Sequence, residues 1–101
     1  MEENTKKIYI PFDLAKELFD KGIKVTNVEY YYKVNSPDGT HEPKWTRGVI
    51  CRAWGTPDIP WRDFIPAPTV TEFDNYIDYT GTVLDDAIIE KINAIRYAGN
   101  K

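Results

Sequence analysis

The run Val25-Thr26-Asn27-Val28-Glu29-Tyr30-Tyr31-Tyr32-Lys33-Val34 decides the fold class. Its even positions from residue 28 are Val28, Tyr30, Tyr32 and Val34, and its odd positions are Asn27, Glu29, Tyr31 and Lys33. Successive side chains of a strand point to opposite sides, so this spacing predicts a strand with one apolar and one wet face. Tyr31 is the misfit, a large ring on the wet side. Either the sheet is covered on both faces, or Tyr31 meets an interface.

Downstream, Ser36-Pro37-Asp38-Gly39 reads as a turn: Pro pre-sets φ at the second position and Gly accepts a positive φ. A returning strand is then expected within residues 45–54, centred on Val49-Ile50-Cys51, with Pro43 placing its start at a frayed end or a sheet edge. Upstream, residues 7–10 read as a short strand and residues 11–22 as a helix. Leu14, Ala15, Leu18 and Phe19 share one helical face. Pro11 suits the first turn, Asp13 and Lys21 suit the two ends of the helix dipole, and Gly22 suits a left-handed stop with Ile23 folding back.

Residues 55–68 hold four prolines in fourteen positions. Proline lacks the N–H that a helix interior or a central strand requires, so this stretch is predicted as a long loop carrying Trp61, Phe64 and Ile65. Thr69-Val70-Thr71-Glu72 reads as a capping box that opens a second helix with Val70, Phe73, Tyr76 and Ile77 inward. Asp78-Tyr79-Thr80-Gly81 is expected to break it. A third helix follows Thr82-Val83-Leu84-Asp85, lined by Leu84, Ala87, Ile88, Ile92 and Ile95 and stopped by Gly99. The prediction is a single α+β domain over residues 1–101, with a small antiparallel sheet of two to four strands packed with three helices. A chain of 101 residues can bury roughly 65% of its unfolded surface, enough for one modest core.

Composition narrows the chemistry. The chain has one Cys, one His and one Ser. An intrachain disulfide is impossible, and a Cys/His zinc site lacks its three or four ligands. On a strand, His41 and Cys51 lie about 30 Å apart, too far for a nucleophile–base pair. Cys51 therefore reads as a small buried hydrophobe and His41 as an exposed loop residue. No catalytic residue, metal or cofactor is predicted, and the chain is not expected to be an enzyme. Asp74, Asp78, Asp85 and Asp86 lack the spacing of a calcium loop and read as helix N-terminal charges or a solvated acidic patch.

The formal charge is −3. Residues 1–40 carry −1, residues 41–68 carry +1, and residues 69–101 carry −3, with 3 basic against 6 acidic groups. Nothing supplies a basic stripe, so nucleic-acid binding is not expected. No apolar run approaches the ~18 residues of a membrane span. The first residues carry no apolar signal stretch, and a lone Cys suits a reducing compartment, so a cytoplasmic location is expected.

The strongest functional signal is the interleaving of Arg47, Arg52 and Arg62 with Trp45, Trp54 and Trp61. Arg and Trp dominate binding hot spots, and an Arg over an indole is a favourable pair. If residues 45–54 are extended, Trp54 shares a face with Arg52, and Trp45 with Arg47. The competing reading is that the indoles complete a core and the Arg stems pack over them. The predicted contact residues are Tyr31, Arg52, Trp54, Trp61, Arg62 and Phe64. They imply a small non-enzymatic binding or regulatory protein with a protein partner, or a homodimer joined through aromatics. The alternative is a small-molecule-binding or enzymatic domain using Asp, Tyr and Arg groups between the helices and the sheet.

Leu14-Ala15-Lys16-Glu17-Leu18, then Lys21-Gly22-Ile23, then Tyr30-Tyr31-Tyr32, and later Ala67-Pro68-Thr69 at the start of a helix, form a recurring order. The chain resembles in this a group of small uncharacterised proteins encoded by phages and mobile elements of gut bacteria. The resemblance spans residues 8–34 and 65–77. After residue 77 the group continues with strands where this chain turns to helix, and a Trp frequent in the group's second helix is absent around Asn75-Tyr76. The group has no activity to carry over. The resemblance implies a small accessory protein of a mobile element, whose acidic surface could mimic nucleic acid toward a DNA-binding protein.

Overall fold

Pro11 sets the entry to the first helix, α1 (Phe12–Asp20), with φ −59° and ψ 155°. In the computed structural model, which describes residues 8–99, Leu14, Ala15 and Leu18 of this helix are buried. Its end follows the predicted stop. Gly22 takes φ 88°, its N–H bonds Phe19 O at 3.0 Å, and the Ile23 N–H returns to Leu18 O at 2.9 Å. This pair of bonds satisfies the last carbonyls of the helix.

The sheet is smaller than expected and differently built. Strand β1 (Tyr31–Lys33) pairs antiparallel with β2 (Phe64–Pro66), in the register Tyr31↔Pro66, Tyr32↔Ile65 and Lys33↔Phe64. The partner of the tyrosine strand thus lies inside the proline-rich segment predicted as loop. Proline is compatible there because antiparallel N–H groups alternate in direction. Ala67 N–H donates to Tyr30 O, so the nitrogen of position 66 points away from β1 and needs no proton. On the outer side of this segment the chain pairs again: Ile10 N–H donates to Pro68 O and Val70 N–H to Ile8 O, with a single bridge Tyr9↔Thr69. Of the strand predicted at residues 7–10, Lys7 lies outside the described residues and the rest makes this bridge.

The returning strand expected at residues 45–54 is instead a helix, α2 (Arg47–Trp54). In that stretch Trp45 alone forms a backbone bridge to the sheet, its carbonyl accepting the Tyr31 N–H at 2.7 Å. Thr46 caps α2 through the Val49 N–H at 3.4 Å, and Gly55 closes it at φ 66°. A run as short as Val49-Ile50-Cys51 does not separate helix from strand by periodicity, and the start and stop residues at 46 and 55 settle the matter.

Helix α3 (Val70–Thr80) opens on the predicted capping box. Thr69 N–H donates to Glu72 Oε1 at 2.9 Å and Glu72 N–H to Thr69 Oγ1 at 3.0 Å. Such a cap stabilises by about 1 kcal/mol. The helix runs through the expected break to Gly81, because the Thr80 hydroxyl bonds Tyr76 O at 2.9 Å and so sits within the last turn. Helix α4 (Asp86–Gly99) is the last described element. The fold class is α+β as predicted, with a two-stranded antiparallel sheet and, among the described residues, four helices in place of three.

Two buried groups sit on the two faces of the sheet. Tyr32 and Ile65 face the larger one, with Ile10, Leu14, Leu18, Phe73, Ile88 and Ile92. Tyr31 and Phe64 face the smaller one, with Ile50 and Ile59. Tyr31 is only 3% exposed, so of its two readings the sheet covered on both sides is the one realised. Lys91 Nζ reaches Glu17 of α1 at 2.8 Å, and Arg96 grips Asp74 of α3 at 2.6 and 3.1 Å. Exposed pairs of this kind contribute about 0–1 kcal/mol each. No described helix is long and apolar enough to cross a membrane.

Candidate functional site

The sheet face that carries Tyr31, Lys33, Phe64 and Pro66 organises the indoles. Phe64 is fully buried. Trp45, just before α2, and Trp54, at its end, set their rings edge-on to it at 5.5 and 5.0 Å between centroids, and 5.9 Å from each other. Edge-to-face geometry places positive ring edges on negative faces and adds about 0.5–1.5 kcal/mol per pair beyond area burial. Lys33, opposite Phe64 in the register, holds Nζ 5.7 Å from both indole centroids. Trp54 stays 37% exposed.

A second aromatic group forms around Trp61, whose ring lies 5.8 Å from Phe19 and 6.2 Å from Tyr31. Lys24 Nζ sits 4.6 Å from its centroid. No ring contact joins this group to the Trp54 group among the described residues. The cations over the indoles are thus lysines rather than the arginines the sequence suggested.

Helix α2 also overturns the expected pairing of Arg52 with Trp54. Residues two apart share a strand face but lie roughly 160° apart around a helix. Ile50 is buried on the inner side with Trp54 beside it, while Arg52 is exposed on the other. Arg47 is committed to the loop after α2, bonding Asp58 Oδ1 at 3.0 Å and Pro57 O at 3.4 Å. The Asp58 carboxyl is held below the usual carboxylate range, first by the Ile59 N–H and then by Arg47. Burial pushes the Tyr31 phenol up, opposed by nearby Arg47. Of the six predicted contact residues, Arg52, Trp54 and Arg62 are exposed, Trp61 is half-buried, and Tyr31 and Phe64 lie beneath the surface.

His41 is not the exposed loop residue expected. Its ring stacks on Phe12 at 3.6 Å with 5° between planes, and its Nδ1 lies 3.0 Å from Lys33 O. A carbonyl only accepts, so Nδ1–H is the donor. Cys51 is half-buried against the smaller core, whereas Phe12, under His41, belongs to the larger. The two do not form a nucleophile–base pair.

Beside His41 lies a cleft of about 290 Å³ lined by Lys33, Ser36, Asp38, Lys44 and Trp45 among others. Asp38 braces its rim, accepting from Ser36 Oγ at 2.7 Å, Thr40 Oγ1 at 2.8 Å and Thr40 N–H at 3.1 Å. Those donors, Ser36 first, lower its carboxyl to about 2. The Ser-x-Asp-x-Thr spacing was the only sequence trace of this cleft, because stacking on Phe12 joins residues far apart in the chain.

The acidic residues scatter. Asp74 pairs with Arg96 and Asp85 with Lys21. Among the described residues, no three His, Cys, Asp or Glu side chains are grouped to hold a metal. Comparison with family models, with curated proteins and with solved structures found no match.

Proposed function

We propose that this protein is a small non-enzymatic binding or regulatory factor acting through protein–protein contacts, as an accessory protein of a phage or mobile element. The observation that carries this is Trp54, an indole 37% exposed yet held edge-on by Phe64 and Trp45 under Lys33. A pre-positioned aromatic loses little freedom on binding, which is why Trp anchors interfaces. Trp61, under Lys24, offers a second ring of the same kind. Arg52 and Arg62 are exposed and unpaired among the described residues, supplying polar contacts at the edges. Tyr31 and Phe64 support the surface from below.

The test is a pull-down with the protein as bait, comparing wild type with Trp54→Ala, Trp61→Ala, Arg52→Ala and Arg62→Ala. Recovery of the partner is expected to fall about tenfold or more for the Trp variants, and less for the Arg variants. Equal recovery with all four, each shown folded by circular dichroism, removes this face from the function.

The His41 cleft supports a second reading, a small-molecule site. Its lining is lysine, histidine, carboxylate and indole, rather than the tyrosine and arginine chemistry expected from the sequence. Such a site suits a small planar anion, with Trp45 for stacking and Lys33 and Lys44 for charge. In a thermal-shift screen, a ligand at 100-fold its Kd stabilises the folded state by about 2.7 kcal/mol, and His41→Ala is expected to abolish the shift. A panel of planar anions that leaves Tm unmoved counts against this reading.

A further inference from the structure

Helices α3 and α4 enclose a groove that neither reading uses. Its volume is about 260 Å³, and its floor is apolar: Phe73, Ile77, Leu84, Ile89 and Ile92. Ile89 is 40% exposed. The rim is acidic. Asp74 and Asp78 line the α3 side. At 3.6 residues per turn, Asp86 and Glu90 fall next to Ile89 and Asn93 on α4. Among the described residues the one cation lining the groove, Arg96, is consumed by its two bonds to Asp74. The side chains of Asp78, Asp86 and Glu90 form no hydrogen bond or ion pair among the described residues and stay free to meet a partner.

We infer that this groove docks an amphipathic helix of a partner protein, one that carries Lys or Arg beside its apolar stripe. The shape argues for a helix: the walls are two helices of 11 and 14 residues, about 16 and 21 Å long, and helix-in-groove recognition reads apolar anchors at turn spacing. The charge argues for basic flanks, since Asp78 on the rim and Asp86 and Glu90 beside it on α4 remain uncompensated once Asp74 and Arg96 have neutralised each other. The same charge disfavours a second copy, because a two-fold contact would set these carboxylates against themselves.

The probe is a fluorescein-labelled synthetic helix of roughly eighteen residues, about five turns, with Leu on one face and Lys flanking it. A counterpart with Glu replacing every Lys is the control. Fluorescence anisotropy is expected to show saturable binding of the Lys peptide, weakening as salt rises. The exposed double variant D78K/E90K is expected to weaken it about tenfold or more, as is Ile89→Glu. Methyl NMR shifts are expected at Ile77, Leu84, Ile89 and Ile92. Trp54→Ala is expected to bind the peptide as wild type does, which separates this groove from the indole face. Equal binding of the Glu peptide, indifference to D78K/E90K, or shifts confined to α2 would overturn the inference. So would a concentration-dependent dimer in sedimentation that Ile89→Glu abolishes, since it would give the groove to a second copy.

Discussion

Phe64→Ala is expected to remove about 3–5 kcal/mol of stability, the cost of deleting a fully enclosed aromatic ring. Phe64 is 0% exposed and joins three structures at once. It lies opposite Lys33 in the sheet, it takes the edges of Trp45 and Trp54 at 5.5 and 5.0 Å, and it packs with Tyr31, Ile50 and Ile59. Its surroundings are poorly able to collapse into the space, because two indoles and a strand pair hold their places. Small domains are stable by about 5–15 kcal/mol in all, and each kcal/mol moves Tm by about 4–8 °C at this size. A fall in Tm of about 15 °C or more is therefore expected, with a red shift of Trp emission as the rings open to water. Phe64→Leu refills most of the volume and is expected to cost markedly less. A loss below about 1 kcal/mol for the alanine variant would show that the second face of the sheet is no packed core.

The second large effect is alkaline. The Tyr32 phenol is 3% exposed and donates to Ile10 O at 2.7 Å. Burial, with a smaller contribution from Tyr9, pushes its pKa up to about 12. An unfolded phenol ionises near 10. Below that pH both states hold the proton and the contribution to stability is complete. Between about 10 and 12 the unfolded chain releases its proton and the folded one does not, so stability falls as pH rises. Tyr32→Phe is expected to cost about 1–3 kcal/mol at neutral pH, since it leaves the buried Ile10 carbonyl without its donor. It is also expected to flatten the decline above pH 10, leaving a smaller slope to which Tyr31, also raised by burial, contributes. Urea melts of both proteins at pH 7 and across pH 10–12 measure this. Parallel declines would mean that Tyr32 is not the group that holds its proton.

These effects bear on what a reading of the chain can reach. The capping box at Thr69 and Glu72, the Gly22 stop with Ile23 folded back, and the inward stripes of α1, α3 and α4 are encoded by neighbours within a few residues, and they form as predicted except that Ala87 of the α4 stripe is exposed. The turn between the tyrosine strand and its supposed partner misled, because hairpins are the commonest way to pair strands. Here the segment after the turn contributes only the Trp45 bridge and then coils into α2. That one change moves Arg52 away from Trp54 and leaves the indoles to lysines 24 and 33. Lysine was not legible as the partner because Lys33 reaches Trp45 and Trp54 only through its place opposite Phe64.

What the sequence determined by itself is therefore local: three of the four helices among the described residues, the capping box of α3, the Gly22 stop of α1, the absence of a Cys/His zinc set, and the acidic excess after residue 69. Each rests on backbone preference, helical period or counting, which act over one or two turns. The tertiary structure alone decided the partner of the tyrosine strand. The four prolines of residues 55–68 argued for loop, and only the alternation of an antiparallel ladder shows that position 66 needs no N–H. Once β2 closes on β1, the three tyrosines acquire separate roles. Tyr32 is locked to Ile10 in one core, Tyr31 is buried in the other, and Tyr30 gives its carbonyl to Ala67. The alternation held, with Asn27 and Glu29 exposed as predicted, but the strand itself shrank to Tyr31–Lys33 and Tyr31 entered a second core, because long-range packing rather than local pattern decides what covers a strand.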